Sequence, residues 1–176
     1  MGQKIGRFKM KAEITNRGLV KFIVAGVLFF AWVMIQGAVM EQEAVHAFLQ
    51  LGPAGMITGA HSHLGCVGWA GLILAAVAYY LIPVLSGKSI VWPRLINWIF
   101  WLWVIDTAAL AILMITAGVT GGNATAAGLA TPQVIAMLVP YYIAMGILAI
   151  VGGIVGVMFT VQILVSLSAR GPKAAS

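Results

Sequence analysis

Charged residues are confined to short stretches of this chain, and between them lie four apolar runs, 18–40, 56–85, 93–117 and 133–168. A hydrocarbon core of ~30 Å needs about 20 apolar residues at 1.5 Å rise each, so every run is long enough to cross it as a helix. The pattern predicts an all-α polytopic membrane four-helix bundle, a transmembrane domain over 18–168 flanked by a basic arm (1–17) and a short tail (169–176). The fourth run is longer than a crossing requires, and Pro140 is expected to kink its outer end. Between the first two runs, EQEAVHAFLQLGPAG carries Glu41, Glu43 and His46; its first part has helical residues suited to the interface, and Gly52-Pro53 turns the chain back. The segment 118–133, GVTGGNATAAGLATPQ, is small and uncharged and is expected to be a flexible connection.

Composition narrows the class further. The chain is 62% hydrophobic and 8% charged, with mean hydropathy +1.05, which leaves no material for a soluble domain. The formal charge of +6 is a topology signal before it is a nucleic-acid signal, because six of the ten basic residues (Lys4, Arg7, Lys9, Lys11, Arg17, Lys21) precede or open the first run. With Lys88, Arg94, Arg170 and Lys173 on the same side and Glu41 and Glu43 on the other, both termini are expected to be cytoplasmic. The basic arm suits anionic headgroups, at about 1 kcal/mol per basic residue. The setting this implies is a bacterial or archaeal cytoplasmic membrane, with lipid and not nucleic acid as the bulk partner. Cys66 is the single cysteine, so no intramolecular disulfide forms; its position in a span suggests a buried structural thiol, and no CxxCH is present to attach haem covalently. The first run lacks a clean small-x-small cleavage site and reads as a retained helix.

The candidate chemistry opens the second run. His61 and His63 begin a stretch of about twenty uncharged residues, and ionisable groups at membrane depth cost roughly 2.5–3.5 kcal/mol even on mild scales. Residues two apart on a helix are about 200° apart, so the two imidazoles face different neighbours. His61 shares its face with Gly65, Gly68, Leu72, Ala75 and Ala76; His63 lies above Val67, Ala70 and Leu74. The smooth strip below His61 leaves room for a flat group such as a porphyrin, or equally for the close approach of another helix. A copper or zinc site from His61, His63, His46 and Glu41 or Glu43 ranks last, since i, i+2 spacing chelates poorly. Asp106 lies well inside the third run with no basic residue in any span interior to pair with it. It is a candidate proton-relay or quinone-bonding group, or simply an acid donating to a backbone carbonyl. Trp92, Trp98, Trp101 and Trp103 suit an interfacial belt or packing against a ring system.

The spacing H-x21-P from His61 to Pro83, followed by WPRLINWIFWL at 92–102, resembles helices II and III of subunit I of the haem–copper oxidases. HSHLGCVGWAG with AYYLIP is nearer the nitric oxide reductase and C-type oxidase branch, and 139–164 is similar to that branch's helix IV. The resemblance spans essentially the whole chain but about the first third of the family fold. It implies that His61 is an axial ligand of a low-spin haem b, with Gly65 and Gly68 beside it. His63 or His46 is a candidate second ligand, as is His61 of a second copy sharing the haem. The family's copper or non-haem iron ligands come from later helices that this sequence lacks, so it is not expected to reduce oxygen or nitric oxide alone. The resulting expectation is a b-type cytochrome-like subunit passing electrons within a respiratory complex, as a homo-oligomer or with other respiratory subunits. The alternatives are a haem-free membrane anchor, or a quinone-handling subunit using Asp106, Tyr79 or Tyr80.

Overall fold

The computed structural model describes residues 2–168, with side chains from Gly18 onward. The side chains of the basic arm and the tail 169–176 lie outside the described residues. Helix α1 (Gly2–Met40) carries the first span, Gly18–Met40, and is followed by the short α2 (Glu43–Leu49). The second span, Gly52–Ser86, is continuous: one 3-10 turn (Gly52–Gly55), α3 (Met56–His63), a π-helical segment (Leu64–Gly71) and α4 (Leu72–Ser86). Helices α5 (Leu95–Ala126) and α6 (Thr131–Ser168) complete four membrane-spanning elements, and the described residues contain no strand. In hydrocarbon only helices satisfy every backbone group within one segment, which is why these apolar runs fold as they do.

Helix α1 packs along the second span, α5 packs on that span from another side, and α6 lies along α5 and touches α4. The main core joins the first three: Phe22 is fully buried with its ring edge-on to Tyr79 (5.9 Å) and Phe100 (4.9 Å), with Phe29, Leu64 and Leu72 sealed nearby. A second cluster, Ala117, Ala124, Val134 and Leu138, closes the α5–α6 hairpin. The outward face of α6 (Ile143, Ile147, Ile150, Ile154, Val157) is exposed and apolar, as a surface facing lipid must be.

Two boundaries differ from the sequence pattern for one reason. Helix α5 continues past Ala117 to Ala126, so most of the expected flexible connection is helical, and the second span starts at Gly52 rather than Met56. A methyl group on Gly118 would fall 2.7 Å from Ile57 Cγ1, on Gly121 2.6 Å from Pro53 Cβ, and on Gly122 2.5 Å from Phe48 Cζ. These glycines let the end of α5 press against the 3-10 turn and α2, and that contact offsets a propensity cost of about 1 kcal/mol per glycine. Gly52 (φ 48°) and Gly128 (φ 81°) make the turns at either side. Cys66, within the π segment, is exposed and not buried as expected.

At the opposite end a buried polar cluster fastens three elements. The Tyr79 hydroxyl donates to Gln162 Oε1 (2.8 Å), and Gln162 Nε2 donates to the carbonyls of Val91 (2.8 Å) and Trp92 (3.0 Å). The Val91 amide donates to Ser166 Oγ (3.0 Å), and Lys88 Nζ donates to the Leu167 carbonyl. Trp92 is held at φ 48°, a conformation that costs a non-glycine residue of order 1–3 kcal/mol. Nearby, Lys21 Nζ donates to Asn97 Oδ1 and sits 4.5 Å over the Phe100 ring, tying α1 to α5. Gln162→Leu strands the Tyr79 hydroxyl and two loop carbonyls; it is expected to lower stability by roughly 2–4 kcal/mol, against about 1 kcal/mol for Tyr79→Phe. Unfolding of the purified protein in mixed micelles measures both; equal effects would show that the glutamine does not anchor the loop.

Candidate functional site

The second span places its two histidines differently, as the helical wheel requires. The His61 imidazole lies against α1 at Gly37, where a methyl group would be 3.1 Å from Cε1. Its Nδ1 is buried without a hydrogen-bond partner, while Nε2 is on the accessible side of the ring. Gln36, next to Gly37, donates from Nε2 to the Ile57 carbonyl (3.0 Å), one turn before His61, and its own Oε1 is buried and unpartnered. His63 is half-buried with Nε2 sealed and unpartnered. His46 is exposed on α2. Among the described residues no three of the His, Cys, Asp and Glu side chains come together as metal ligands, so the outer-face copper or zinc arrangement does not assemble within this chain.

Below His61 the glycine strip is filled. A methyl group on Gly68 would lie 2.9 Å from Phe29 Cγ, and one on Gly65 would meet both Val33 methyls at 4.0 Å. Of the two readings the sequence leaves open for this strip, close helix approach is the one α1 realises. The π turns have their own support. Glycine at 65, 68 and 71 lowers the steric cost of the wider turn, and the Trp103 indole N–H donates to the displaced Val67 carbonyl (3.0 Å). Gly71 admits that indole: a methyl group there would sit 2.8 Å from Trp103 Cζ2. A π segment is invisible to hydrophobic patterning, though the three glycines are its trace.

Asp106 lies between α5 and α6 with Oδ2 against Gly152, where a methyl group would be 2.7 Å away. Oδ1 is buried and unpartnered, as is the hydroxyl of its neighbour Thr107. Both line a cavity of about 160 Å³ with Val67, Trp103, Gly152 and Gly156. Small-molecule sites enclose roughly 300–1,000 Å³, and this space is about half the lower end of that range. Of the tyrosines, Tyr79 is committed to Gln162 and Tyr80 is exposed. Thr107, Gly37 and Gly152 carry no chemical signal in the sequence, and only the helix contacts bring them to these sites.

A family model described as Cytochrome C and Quinol oxidase polypeptide I matches residues 6–155. The chain is 31% identical over 108 residues to a cytochrome c oxidase subunit 1 homolog of Agrobacterium tumefaciens (strain T37), a match covering 61% of this chain and 20% of that protein. It is 29% identical over 105 residues to cytochrome c oxidase subunit 1 of Rhodobacter capsulatus, covering 59% of this chain and 19% of that one. The chain thus spans about a fifth of the length of these curated relatives. No solved structure matches.

The contact between Phe29 and Gly68 is testable by itself. Gly68→Ala should destabilise the fold by roughly 1–3 kcal/mol through overpacking. Combined with Phe29→Ala it should cost less than the two single substitutions added, with a coupling above about 0.5 kcal/mol. Strict additivity in an unfolding double-mutant cycle would place α1 elsewhere.

Proposed function

The chain belongs to the cytochrome c and quinol oxidase polypeptide I family, and from that premise we propose that it is a b-type cytochrome-like subunit. It holds haem b through His61 and passes electrons within a respiratory complex of the cell membrane. The charge pattern supports cytoplasmic termini, with His61 toward the outer face. The observation that carries the reading is the setting of one ring: His61 packs edge-on against α1 at Gly37, its Nδ1 is buried without a partner, and its Nε2 makes no hydrogen bond among the described residues. An imidazole fixed in this way is suited to bind iron through Nε2.

The fit of the macrocycle sets a condition. Val33 and Phe29 cover Gly65 and Gly68, so those glycines are not the floor of a haem in this packing. The chain offers one ligand, and neither His63 nor His46 shares its environment. A bound haem would therefore lie beside His61 on the side away from α1, with its second ligand and opposite wall from a second copy or another subunit. When bound, the haem supplies one-electron chemistry. The protein's part is to orient the imidazole, which Gly37 and the α1–α3 contact do. The covered glycine strip equally supports a second reading, a haem-free membrane anchor of an oxidase-type complex.

Absorption spectroscopy separates them. Protein purified from haem-replete cells should show a Soret band and a reduced b-type α band, at one haem for each His61 pair or for each His61 with a partner's ligand. His61→Ala should lose at least nine-tenths of that absorbance, while His63→Ala and His46→Ala keep it. A folded wild-type protein with no Soret absorption would leave the anchor reading.

A further inference from the structure

Asp106 and Thr107 are neighbours on α5, and both are sealed from outside, at 6% and 0% exposure. Each presents an oxygen with no partner, Asp106 Oδ1 and Thr107 Oγ1, and both residues line the same cavity. A buried polar atom without a partner has lost its bonds to water and gained none in return. Two of them on adjacent residues of one membrane helix call for an occupant of the space they line. The Trp103 indole N–H cannot satisfy them, since it is committed to the Val67 carbonyl at 3.0 Å.

The cavity is kept open by glycine. Gly152 is required for the carboxyl group to fit at all, because a methyl group there would be 2.7 Å from Oδ2. Gly156 is different: it is exposed, and a methyl group on it would meet nothing within 4 Å, so it lies at the open rim of the cavity. An apolar void stays dry, whereas a cavity with polar groups and room retains water; at about 30 Å³ per molecule the 160 Å³ here holds up to about five. A metal ion does not suit the same space. Hard cations take about six or more oxygen ligands, and no third acid or histidine joins these residues among those described.

We infer that this cavity is a water-binding site within the membrane span, in which the Asp106 carboxyl and the Thr107 hydroxyl hold a small ordered cluster between α5 and α6. The water gives both orphaned oxygens the partners that no side chain supplies. It also makes the carboxyl group exchangeable with solvent hydrogen instead of isolated. The site is independent of haem, and its tests read the protein itself.

The sign of one substitution is informative. In a hydrated cavity Thr107→Val removes a hydroxyl that was bonded to water and lowers the unfolding midpoint of the purified chain in mixed micelles. In a dry cavity the same change removes an orphaned hydroxyl and leaves the midpoint unchanged or raised. Infrared spectroscopy of the wild type provides the second measurement. The Asp106 carboxyl band, assigned by its loss in Asp106→Asn, should shift on transfer to D₂O within minutes. A neutral or stabilising Thr107→Val in wild type, or an Asp106 band unmoved by D₂O, overturns the water site.

Discussion

Within hydrocarbon a polar group has no solvent to fall back on, and the way Gln162 meets that constraint organises one whole end of this molecule. Its amide spends its oxygen on the Tyr79 hydroxyl and its nitrogen on two loop carbonyls. One α6 side chain thereby fixes α4, the 87–94 connection and the start of α5. The same loop keeps Trp92 in a left-handed conformation that an unanchored tryptophan would leave. The segment that resembles the family most closely, 92–102, is therefore shaped by a residue seventy positions later in the chain.

The second span depends on absence of side chains as much as on their presence. Gly59, Gly65, Gly68 and Gly71 each face a different neighbour: Met114 of α5, Val33 and Phe29 of α1, and Trp103 of α5. The π segment redistributes them, so that one stretch receives α1 on one side and the Trp103 indole on the other. Close packing without a hydrophobic driving force, as membranes require, is obtained from these missing methyl groups.

The four spans were legible because hydropathy and length alone decide them, and the resemblance at 92–102 placed the chain in its family. His61 and Asp106 stood out because ionisable groups are rare in such runs. The environments of those residues were not legible. Whether Gly65 and Gly68 bedded a ring or a helix depended on Phe29, thirty-nine positions away from Gly68 and unremarkable in its own run. The 118–126 stretch read as a loop because its glycines are poor helix formers, yet they are spent on contact with Pro53 and Phe48. In each case local propensity lost to a partner that only the fold supplies.

The chain's two ionisable sites then differ in kind, and the difference follows from what surrounds them. Asp106 is buried between α5 and α6 of its own chain, beside a cavity with room for a few water molecules. His61 is half-buried against α1, with its Nδ1 sealed and unpartnered. A carboxyl group beside a polar cavity can be completed by water, whereas the His61 ring packs on the flank of α1 and leaves Nδ1 buried without a bond, which carries a desolvation cost.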